Sequence, residues 1–383
     1  MTSLLLTENF ATVEEDSLLR WAEAYGVNGD LRSRYAVYDM IMADTPFSRG
    51  ALNGDDVEHS SLWDMALAEL KALKQQGLPQ WNAVLLNYRA ASRNALWGED
   101  EEALVTLLEG KDMEAFLVAL VSYYRRHGFG DFAFYPFFRW SDGDIHAITH
   151  PDLVEMDTLL GYEDHKSQIC RNTEAFLQGG HGNNVLLYGE RGTGKSSTVK
   201  AVGTKYCSQG LRLVELDRGD LDSLGALCRC LEGIGLHFII CIDDLSFDDF
   251  ETDYKSLKAV LEGSLAKQRD NILIYATSNR RHLIKETWSE RQGGEINARE
   301  NADEKMSLAD RFGLAIAFLN PNQEEFLSMV ADLARRRGLD IPADVLRREA
   351  LIWEKWQHGP SGRTAVQFVN EMEGRLMVMK EVK

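Results

Sequence analysis

A glycine-rich segment near the middle of the chain has the residue types and the spacing of a phosphate-binding loop. Residues 185–199 read VLLYGERGTGKSSTV and contain the pattern GxxxxGKS from Gly189 to Ser196. Glycines let successive backbone N–H groups turn towards a β-phosphate, which also lies at the positive end of the following helix. Lys195 would reach the β- and γ-phosphates, and the Ser196 hydroxyl would contact Mg²⁺. The segment therefore predicts a Walker A loop that binds a nucleoside triphosphate.

Carboxylates and an amide follow two later apolar segments. Residues 237–244 read HFIICIDD and end in Asp243 and Asp244, about fifty residues after the glycine-rich segment. We expect Asp243 to act on Mg²⁺ through water, and Asp244 to orient or deprotonate the attacking water. Residues 271–279 read NILIYATSN, and the terminal Asn279 amide can hydrogen-bond the attacking water or the γ-phosphate. These groups favour hydrolysis of the bound nucleotide.

Two arginines are candidates for contacts with the phosphates. Arg311 lies just before the apolar run 314–318, at a surface. Arg363 lies in the first turn of a helix that Ser361 is expected to cap, where the helix dipole disfavours a cation. A cation placed against the dipole indicates a specific role, such as contact with a phosphate.

The elements that must position these residues alternate between helices and short β-rich runs from residue 157 onward, which predicts a parallel sheet. Five strands are predicted, at residues 185–188, 211–216, 237–244, 271–279 and 314–318. The residues that precede and follow this region read as helices. We therefore expect three domains: a helical N-terminal domain at 1–150, an α/β core at 151–320 and a helical C-terminal domain at 321–383.

Residues 1 to about 130 read as helices only. A capping box at residues 12–15 predicts a helix that runs towards Gly26. Further amphipathic helices are expected to begin at Ser60 or Ser61 and to span 81–97 and 113–127. The aromatic residues of segment 129–139 have Arg139 as their only neighbouring cation, so we expect them to pack against the next domain rather than stack on nucleic-acid bases.

The composition argues for an acidic, soluble protein. The net charge is −18, and residues 1–150 carry 12 Lys+Arg against 23 Asp+Glu, a net of −11. This balance argues against nonspecific binding to nucleic acid or an anionic membrane. The five cysteines form no CxxC or zinc-like pattern, as expected of reduced thiols. No stretch approaches the roughly 18 apolar residues of a membrane span, so we expect a cytoplasmic protein with no membrane partner.

Several segments in the same order resemble the AAA+ ATPase superfamily and, more narrowly, the bacterial AAA+ family catalogued as DUF815. The segments are LLGYEDHK, NNVLLYGERGTGKSS, CIDDLSF, YKSLKAVLEG, IYATSNRRHLI and EKMSLADRFGL. The resemblance covers about residues 150–378. It implies an α/β fold with a five-stranded parallel αβα core, followed by a small helical lid. The helical pattern of the preceding residues predicts an all-α N-terminal domain.

The resemblance also implies a role for individual residues, with ATP and Mg²⁺ as ligands. It places the catalytic groups at Lys195, Asp244, Asn279 as sensor 1, Arg311 as arginine finger and Arg363 as sensor 2. It places Mg²⁺ near Ser196 and Asp243. It assigns nucleotide binding to Gly189, Glu190, Arg191, Gly192, Thr193, Gly194, Lys195, Ser196 and Ser197, with Leu160, Gly161 and Tyr162 near adenine.

An arginine finger acts on a neighbour's γ-phosphate, so this role for Arg311 implies a homo-oligomer, as a ring or an open ring. A salt bridge of Arg311 with Asp310 is the structural alternative. Arg280 and Arg281, just beyond Asn279, are rival candidates for the same role.

Two departures from the family pattern bear on function. Many AAA+ proteins have Glu where this chain has Asp244, which is one methylene shorter and is compatible with slow turnover. Residues 217–224, DRGDLDSL, lack the aromatic–hydrophobic pair of polypeptide-threading pores, which argues against a threading unfoldase.

The sequence leaves three functions open. The first is an ATPase that remodels or loads a macromolecular partner, protein or nucleic acid, with the N-terminal domain selecting that partner. The second is an ATP-gated switch or scaffold with slow turnover. A small-molecule kinase is the third and is disfavoured, since no acceptor-binding segment is apparent.

Overall fold

Helices form the N-terminal part of the chain. A computed structural model describes residues 3–7, 13–76, 88–89, 96–245, 257–258, 260–261, 270–279, 311–357 and 359–381. The first helices are α1 (Glu15–Tyr25), α2 (Leu31–Met42), α3 (Pro46–Leu52), α4 (Ser61–Gln76), α5 (Glu99–Glu109), α6 (Met113–His127) and α7 (Asp131–Phe134). The two-residue strands β1 (Asn28–Gly29) and β2 (Tyr88–Arg89) pair with each other in antiparallel orientation.

The ends of α1 and α6 and the start of α4 agree with the predictions, whereas two other helix predictions differ from the structure. α1 ends at Gly26, whose φ of 71° is the left-handed conformation typical of a helix C-terminus. α4 begins at Ser61, and α6 spans the expected residues 113–127. Thr12 lies outside the described residues, and the structure places the N-cap of α1 at Glu14 rather than at Thr12. Most of the helix expected at 81–97 also lies outside them, but residues 88–89 form strand β2, so the prediction of helices only was wrong there.

A seven-stranded sheet follows these helices. Its strands are β3 (Phe137–Ser141), β4 (Asp144–Ala147), β5 (Val185–Gly189), β6 (Leu211–Leu216), β7 (His237–Ile242), β8 (Ile272–Ser278) and β9 (Leu314–Phe318). Their order is β4-β3-β6-β7-β8-β5-β9, and every neighbouring pair is parallel except β3 and β4. The five predicted parallel strands are therefore confirmed, and two further strands extend the sheet.

The two additional strands come from the end of the aromatic segment and from the residues that follow it. Phe137 and Phe138 lie in the buried clusters on opposite faces of the sheet. Because β3 is covered on both faces, its sequence lacks the period-two alternation that marks a half-buried strand. Asp142 and Gly143 have φ values of 54° and 81°, which suit a tight hairpin turn. The sheet thus begins before residue 150, where the sequence placed the start of the α/β core.

Helices cover both faces of the sheet, and a helical lid follows it. The core helices are α8 (Glu163–Leu177), α9 (Lys195–Tyr206) and α10 (Leu224–Leu231), and the lid helices are α11 (Gln323–Arg336), α12 (Ala343–Trp356) and α13 (Gly362–Glu381). Leu186 and Ile240 pack with α10 on one face, whereas Leu187 and Ile239 pack with α8 and α9 on the other. The lid has its own buried cluster around Phe326 and Phe368. None of the described helices is long and apolar enough to cross a membrane.

A buried arginine ties the N-terminal helices to the sheet. Arg212 of β6 is only 3% exposed. Its guanidinium donates to the carbonyls of Phe132 at 2.7 Å and His127 at 2.8 Å. Leu52 also lies in the same buried cluster as strands β6 and β7. These contacts lie near the amino ends of β6 and β7, away from the carboxyl ends that carry the predicted site.

Stability is expected to fall in mild acid because of His237. Burial lowers the pKa of His237 below its usual value of 6.5, so the unfolded chain binds the proton more readily than the folded chain. The contribution of His237 to the free energy of unfolding is therefore fully present above about pH 6.5. It is lost as the pH falls from there through the lowered pKa. Urea unfolding at about pH 7.5 and about pH 5 measures the loss. His237→Gln should lose less stability between these conditions than the wild type, and an equal loss would contradict the assignment.

Candidate functional site

A cavity of about 610 Å³ lies where the carboxyl ends of the central strands meet the lid. Parallel α/β sheets bind ligands at this edge. Most of the predicted site residues line the cavity: Leu160, Gly161, Tyr162, Arg191, Gly192, Thr193, Gly194, Lys195, Ser196, Ser197, Asp243, Asp244, Asn279 and Arg363. The structure therefore brings together residues that are more than two hundred positions apart in the sequence.

The glycine-rich loop joins β5 to α9 with a backbone that favours glycine, most clearly at Gly189 and Gly194. Gly189 has a φ of 138°, and a Cβ atom there would lie 2.0 Å from the Phe318 carbonyl oxygen. Gly194 has a φ of 94° and directly precedes Lys195, the first residue of α9. The first glycine allows β5 to approach β9 closely, and the second turns the chain into the helix. The loop thus presents the amino end of α9 to the cavity.

Lys195 is held inside this loop. Its side chain lines the cavity although the residue is only 5% exposed. The ammonium group donates to the carbonyls of Gly189 at 3.0 Å and Glu190 at 2.7 Å, and to Asn279 Oδ1 at 3.2 Å. Burial lowers the pKa of Lys195, while the carboxylates of Asp244 and Asp243 act in the opposite direction. The loop carbonyls hold a cation beside the space that a phosphate would fill.

The two carboxylates after β7 have different partners. Asp243 Oδ1 accepts a hydrogen bond of 2.6 Å from the Ser196 hydroxyl. Asp244 Oδ1 accepts a hydrogen bond of 2.5 Å from the Asn279 amide. Asp243 therefore faces the glycine-rich loop, and Asp244 faces the tip of β8. The sequence placed these four residues in two functional pairs, and the structure joins the members of each pair directly.

The donor atoms at Ser196 and Asp243 suit Mg²⁺. A hydroxyl and a carboxylate are hard oxygen ligands, and Mg²⁺ in nucleotide sites is typically held by one or two protein oxygens together with phosphates and water. Within the described part of the chain, no three His, Cys, Asp or Glu side chains form a cluster that would hold a metal ion without a nucleotide. The hydroxyl of Ser196 and the carboxylate of Asp243 therefore fit a metal that is bound together with phosphate.

The lid contacts the glycine-rich loop through its last helix. The Arg363 amide donates to the Gly192 carbonyl at 3.0 Å. Ser361 caps this helix, as expected, because its hydroxyl accepts a hydrogen bond from the Thr364 amide at 3.1 Å. Arg363 thus lines the cavity from the lid side, opposite the sheet.

The segment before α8 closes another side of the cavity. Gly161 and Tyr162 have φ values of 68° and 57°, and the Tyr162 hydroxyl donates to the Leu319 carbonyl at 2.6 Å. Lys166 also lines the cavity and donates to the Leu159 carbonyl at 3.0 Å. Lys166 was not predictable from the sequence, since nothing in its local pattern separates it from an ordinary helical lysine.

Arg311 lies apart from this cavity. It is partly exposed, just before β9, and the residues found to line the cavity do not include it. Gly189 and Glu190 are also outside the cavity lining. Their carbonyls accept hydrogen bonds from Lys195. Asp310, Arg280 and Arg281, which entered the alternatives for Arg311, are outside the described residues.

The mostly parallel sheet, the glycine-rich loop at its carboxyl edge and the helical lid define an α/β protein of the P-loop class. Residues 133–376 match the family described as "Protein of unknown function (DUF815)". Because the match spans well over half of the sequence, the chain belongs to this family. The match also begins before residue 150 and includes strands β3 and β4.

Solved structures of RuvB from Thermotoga maritima are similar to this chain. The structure titled as the RuvB Holliday junction branch migration motor is 15% identical, with a TM-score of 0.38 over 59% of this chain and 66% of that chain. Two variants of the same RuvB are each 16% identical over 59% of this chain, with TM-scores of 0.39. The chain covers 66% of one variant, just under two thirds of its length, and 67% of the other. No curated protein matches the sequence.

Proposed function

We propose that the protein binds Mg²⁺-ATP in the cavity and hydrolyses it, and that turnover remodels or loads a macromolecular partner. The observation that carries this proposal is the direct hydrogen bond between Ser196 and Asp243, which joins the phosphate-binding loop to the acid pair. Lys195 and Asn279 are within hydrogen-bond distance of each other in the same cavity. These groups form a single constellation rather than separate motifs.

The loop and the two acids would divide the binding work. Lys195 would exchange its loop carbonyls for oxygens of the β- and γ-phosphates, while the amide groups at the start of α9 face the same charge. When bound, Mg²⁺ would neutralise part of the charge on the phosphate oxygens. Ser196 can offer an oxygen lone pair to the metal while its hydroxyl hydrogen is donated to Asp243.

Asp244 and Asn279 would act on the attacking water. Asp244 carries the carboxylate that can accept its proton, and the Asn279 amide restricts the orientation of that carboxylate. Arg363 would meet the phosphates from the lid, so that lid position depends on the bound nucleotide. This arrangement would couple hydrolysis to movement of the lid against the core.

Arg311 would act on the nucleotide of a neighbouring copy. Its position outside the lining of its own cavity supports this role, and it makes a homo-oligomer part of the proposal. The N-terminal helices would select the partner, because Arg212 fixes them to the core at the edge opposite the nucleotide.

The test is Mg²⁺-dependent ATP hydrolysis measured against protein concentration. We expect the rate per molecule to rise with concentration, since each site needs an arginine from its neighbour. Arg311→Ala should lower the maximal rate by about 100-fold or more while ATP affinity stays close to that of the wild type. Arg375→Ala removes an exposed lid arginine that pairs with Glu371 and serves as the control. A concentration-independent rate that Arg311→Ala leaves unchanged would refute the role in trans.

A slow ATP-gated switch is the second candidate. The hydrogen bond from Asn279 occupies one oxygen of Asp244, whose side chain is also one methylene shorter than glutamate. A carboxylate held in this way would favour slow hydrolysis, so that ATP would occupy the cavity for a long time. Tight ATP binding without turnover at any protein concentration would favour the switch over the ATPase.

A further inference from the structure

The side chain of Thr277 lies between the two acids and outside the set of residues considered so far. Thr277 is fully buried on β8, two residues before Asn279. Its hydroxyl donates to Asp243 Oδ1 and accepts a hydrogen bond of 3.0 Å from the Asp244 amide. One hydroxyl therefore contacts both acidic residues.

The direction of both hydrogen bonds follows from their chemistry. A backbone N–H can only donate, so the Thr277 oxygen must be the acceptor for Asp244. A hydroxyl has a single hydrogen, which is then directed to the carboxylate of Asp243. Asp243 Oδ1 thus accepts two hydrogen bonds, one from the Thr277 hydroxyl and one from the Ser196 hydroxyl. This convergence fixes the rotation of the Asp243 carboxylate.

The backbone at Asp244 depends on the same strand. Asp244 has a φ of 51°, a left-handed conformation that costs free energy in residues other than glycine, although aspartate tolerates it better than most. The next amide, of Leu245, donates to the Thr277 carbonyl at 2.7 Å, and the Ser278 hydroxyl donates to the Leu245 carbonyl at 2.8 Å. β8 therefore holds the turn that aims Asp244 at Asn279.

We propose that Thr277 is a positioning residue for Asp243 and Asp244. By positioning these two acids, it sets the Mg²⁺ concentration that the site requires. The proposal rests on the proposed function and names a further residue for the same reaction. By holding Asp243 against Ser196, Thr277 leaves the serine lone pairs free for the metal. By binding the Asp244 amide, it keeps the carboxylate of Asp244 beside Asn279. Thr277 touches neither nucleotide nor water in this scheme.

Thr277→Val tests the hydroxyl at nearly constant volume. ATP affinity without Mg²⁺ should remain within about 2-fold of the wild type, since the glycine-rich loop and Lys195 are intact. The Mg²⁺ concentration needed for half-maximal ATP binding should rise by about 10-fold, the usual effect of losing a group that orients a metal ligand. The hydrolysis rate at saturating Mg²⁺-ATP should also fall, by about 10-fold or more. Thr277→Ser restores the hydroxyl and should restore both properties.

Thr173→Val is the matched control. Thr173 of α8 is also fully buried. Its hydroxyl lies 2.8 Å from the hydroxyl of Tyr275, which is on β8 like Thr277 but away from the cavity. This variant should lower stability without changing the Mg²⁺ requirement. Titration of the full-length protein with ATP, at increasing MgCl₂ and with EDTA, measures binding independently of turnover.

The outcomes separate this inference from the proposed function. If the wild type does not bind Mg²⁺-ATP, both fail. If the wild type binds it and Thr277→Val has an unchanged Mg²⁺ requirement, or one that Thr277→Ser does not restore, the positioning role is refuted and the ATPase proposal stands. A shift of the same size in Thr173→Val would also refute it, since general loosening of β8 would then be the cause. Should Thr277→Val not fold, Thr277→Ala removes the hydroxyl without a replacing methyl and is judged by the same criteria.

Discussion

Lys195→Ala is expected to weaken ATP binding by about 100-fold and to lower the hydrolysis rate by about 1000-fold. Lys195 is the cation that the glycine-rich loop encloses, and its ammonium contacts both loop carbonyls and Asn279. The contacts between this cation and the phosphates should strengthen as negative charge redistributes in the transition state. The variant therefore loses more in rate than in affinity. Equilibrium binding of ATP and steady-state hydrolysis measure the two effects separately.

Lys205→Ala is the control for this experiment. Lys205 lies in the last turn of the same helix, with its side chain 43% exposed and 3.9 Å from Glu174. Its removal keeps the change in total charge equal and leaves the cavity untouched. Lys195→Ala and Lys205→Ala should both unfold close to the wild-type temperature. Equal ATP affinity in the two variants would show that the glycine-rich loop does not bind the nucleotide's phosphates.

The parallel strands were predictable because each is a short apolar run with a polar end. β5 and β8 are buried along most of their length, and their hydrophobic runs stand out against the flanking turns. β3 was not predicted, because an aromatic-rich segment beside a proline has several structural uses and its pairing partner, β6, lies more than seventy residues away. Pairing over that distance depends on the fold as a whole and not on local preference.

The candidate site divides in a similar way. Gly189, Gly194 and Lys195 were recognisable because their spacing within one loop reflects a local geometric need. Thr277 was not, because its role depends on the side-by-side placement of β7 and β8. A threonine in an apolar strand reads as an ordinary strand residue. The hydroxyl becomes meaningful only when the turn at Asp244 is seen against it.

Asp244→Asn is expected to retain ATP while losing hydrolysis by about 1000-fold. The substitution removes the group that can accept a proton from the attacking water but preserves the size of the side chain. Lys195 and Ser196 are unchanged, and the asparagine tolerates the left-handed backbone of this position as well as aspartate does. The affinity for Mg²⁺-ATP should therefore stay within about 3-fold of the wild type, so that the variant accumulates in the ATP-bound form.

Asp244→Glu keeps the charge and the proton-accepting group and tests the position of the carboxylate. If the short side chain limits turnover, the added methylene should raise the hydrolysis rate, provided that the Asn279 contact can adjust. If Thr277 and Asn279 already place the aspartate correctly, the longer side chain should lower the rate, because its carboxylate must leave the 2.5 Å hydrogen bond with Asn279. Full hydrolysis by Asp244→Asn would exclude Asp244 as the base in either case. A rate lost in Asp244→Asn and altered in Asp244→Glu, with ATP binding preserved in both, would locate proton transfer at this carboxylate and distinguish the ATPase from a passive switch.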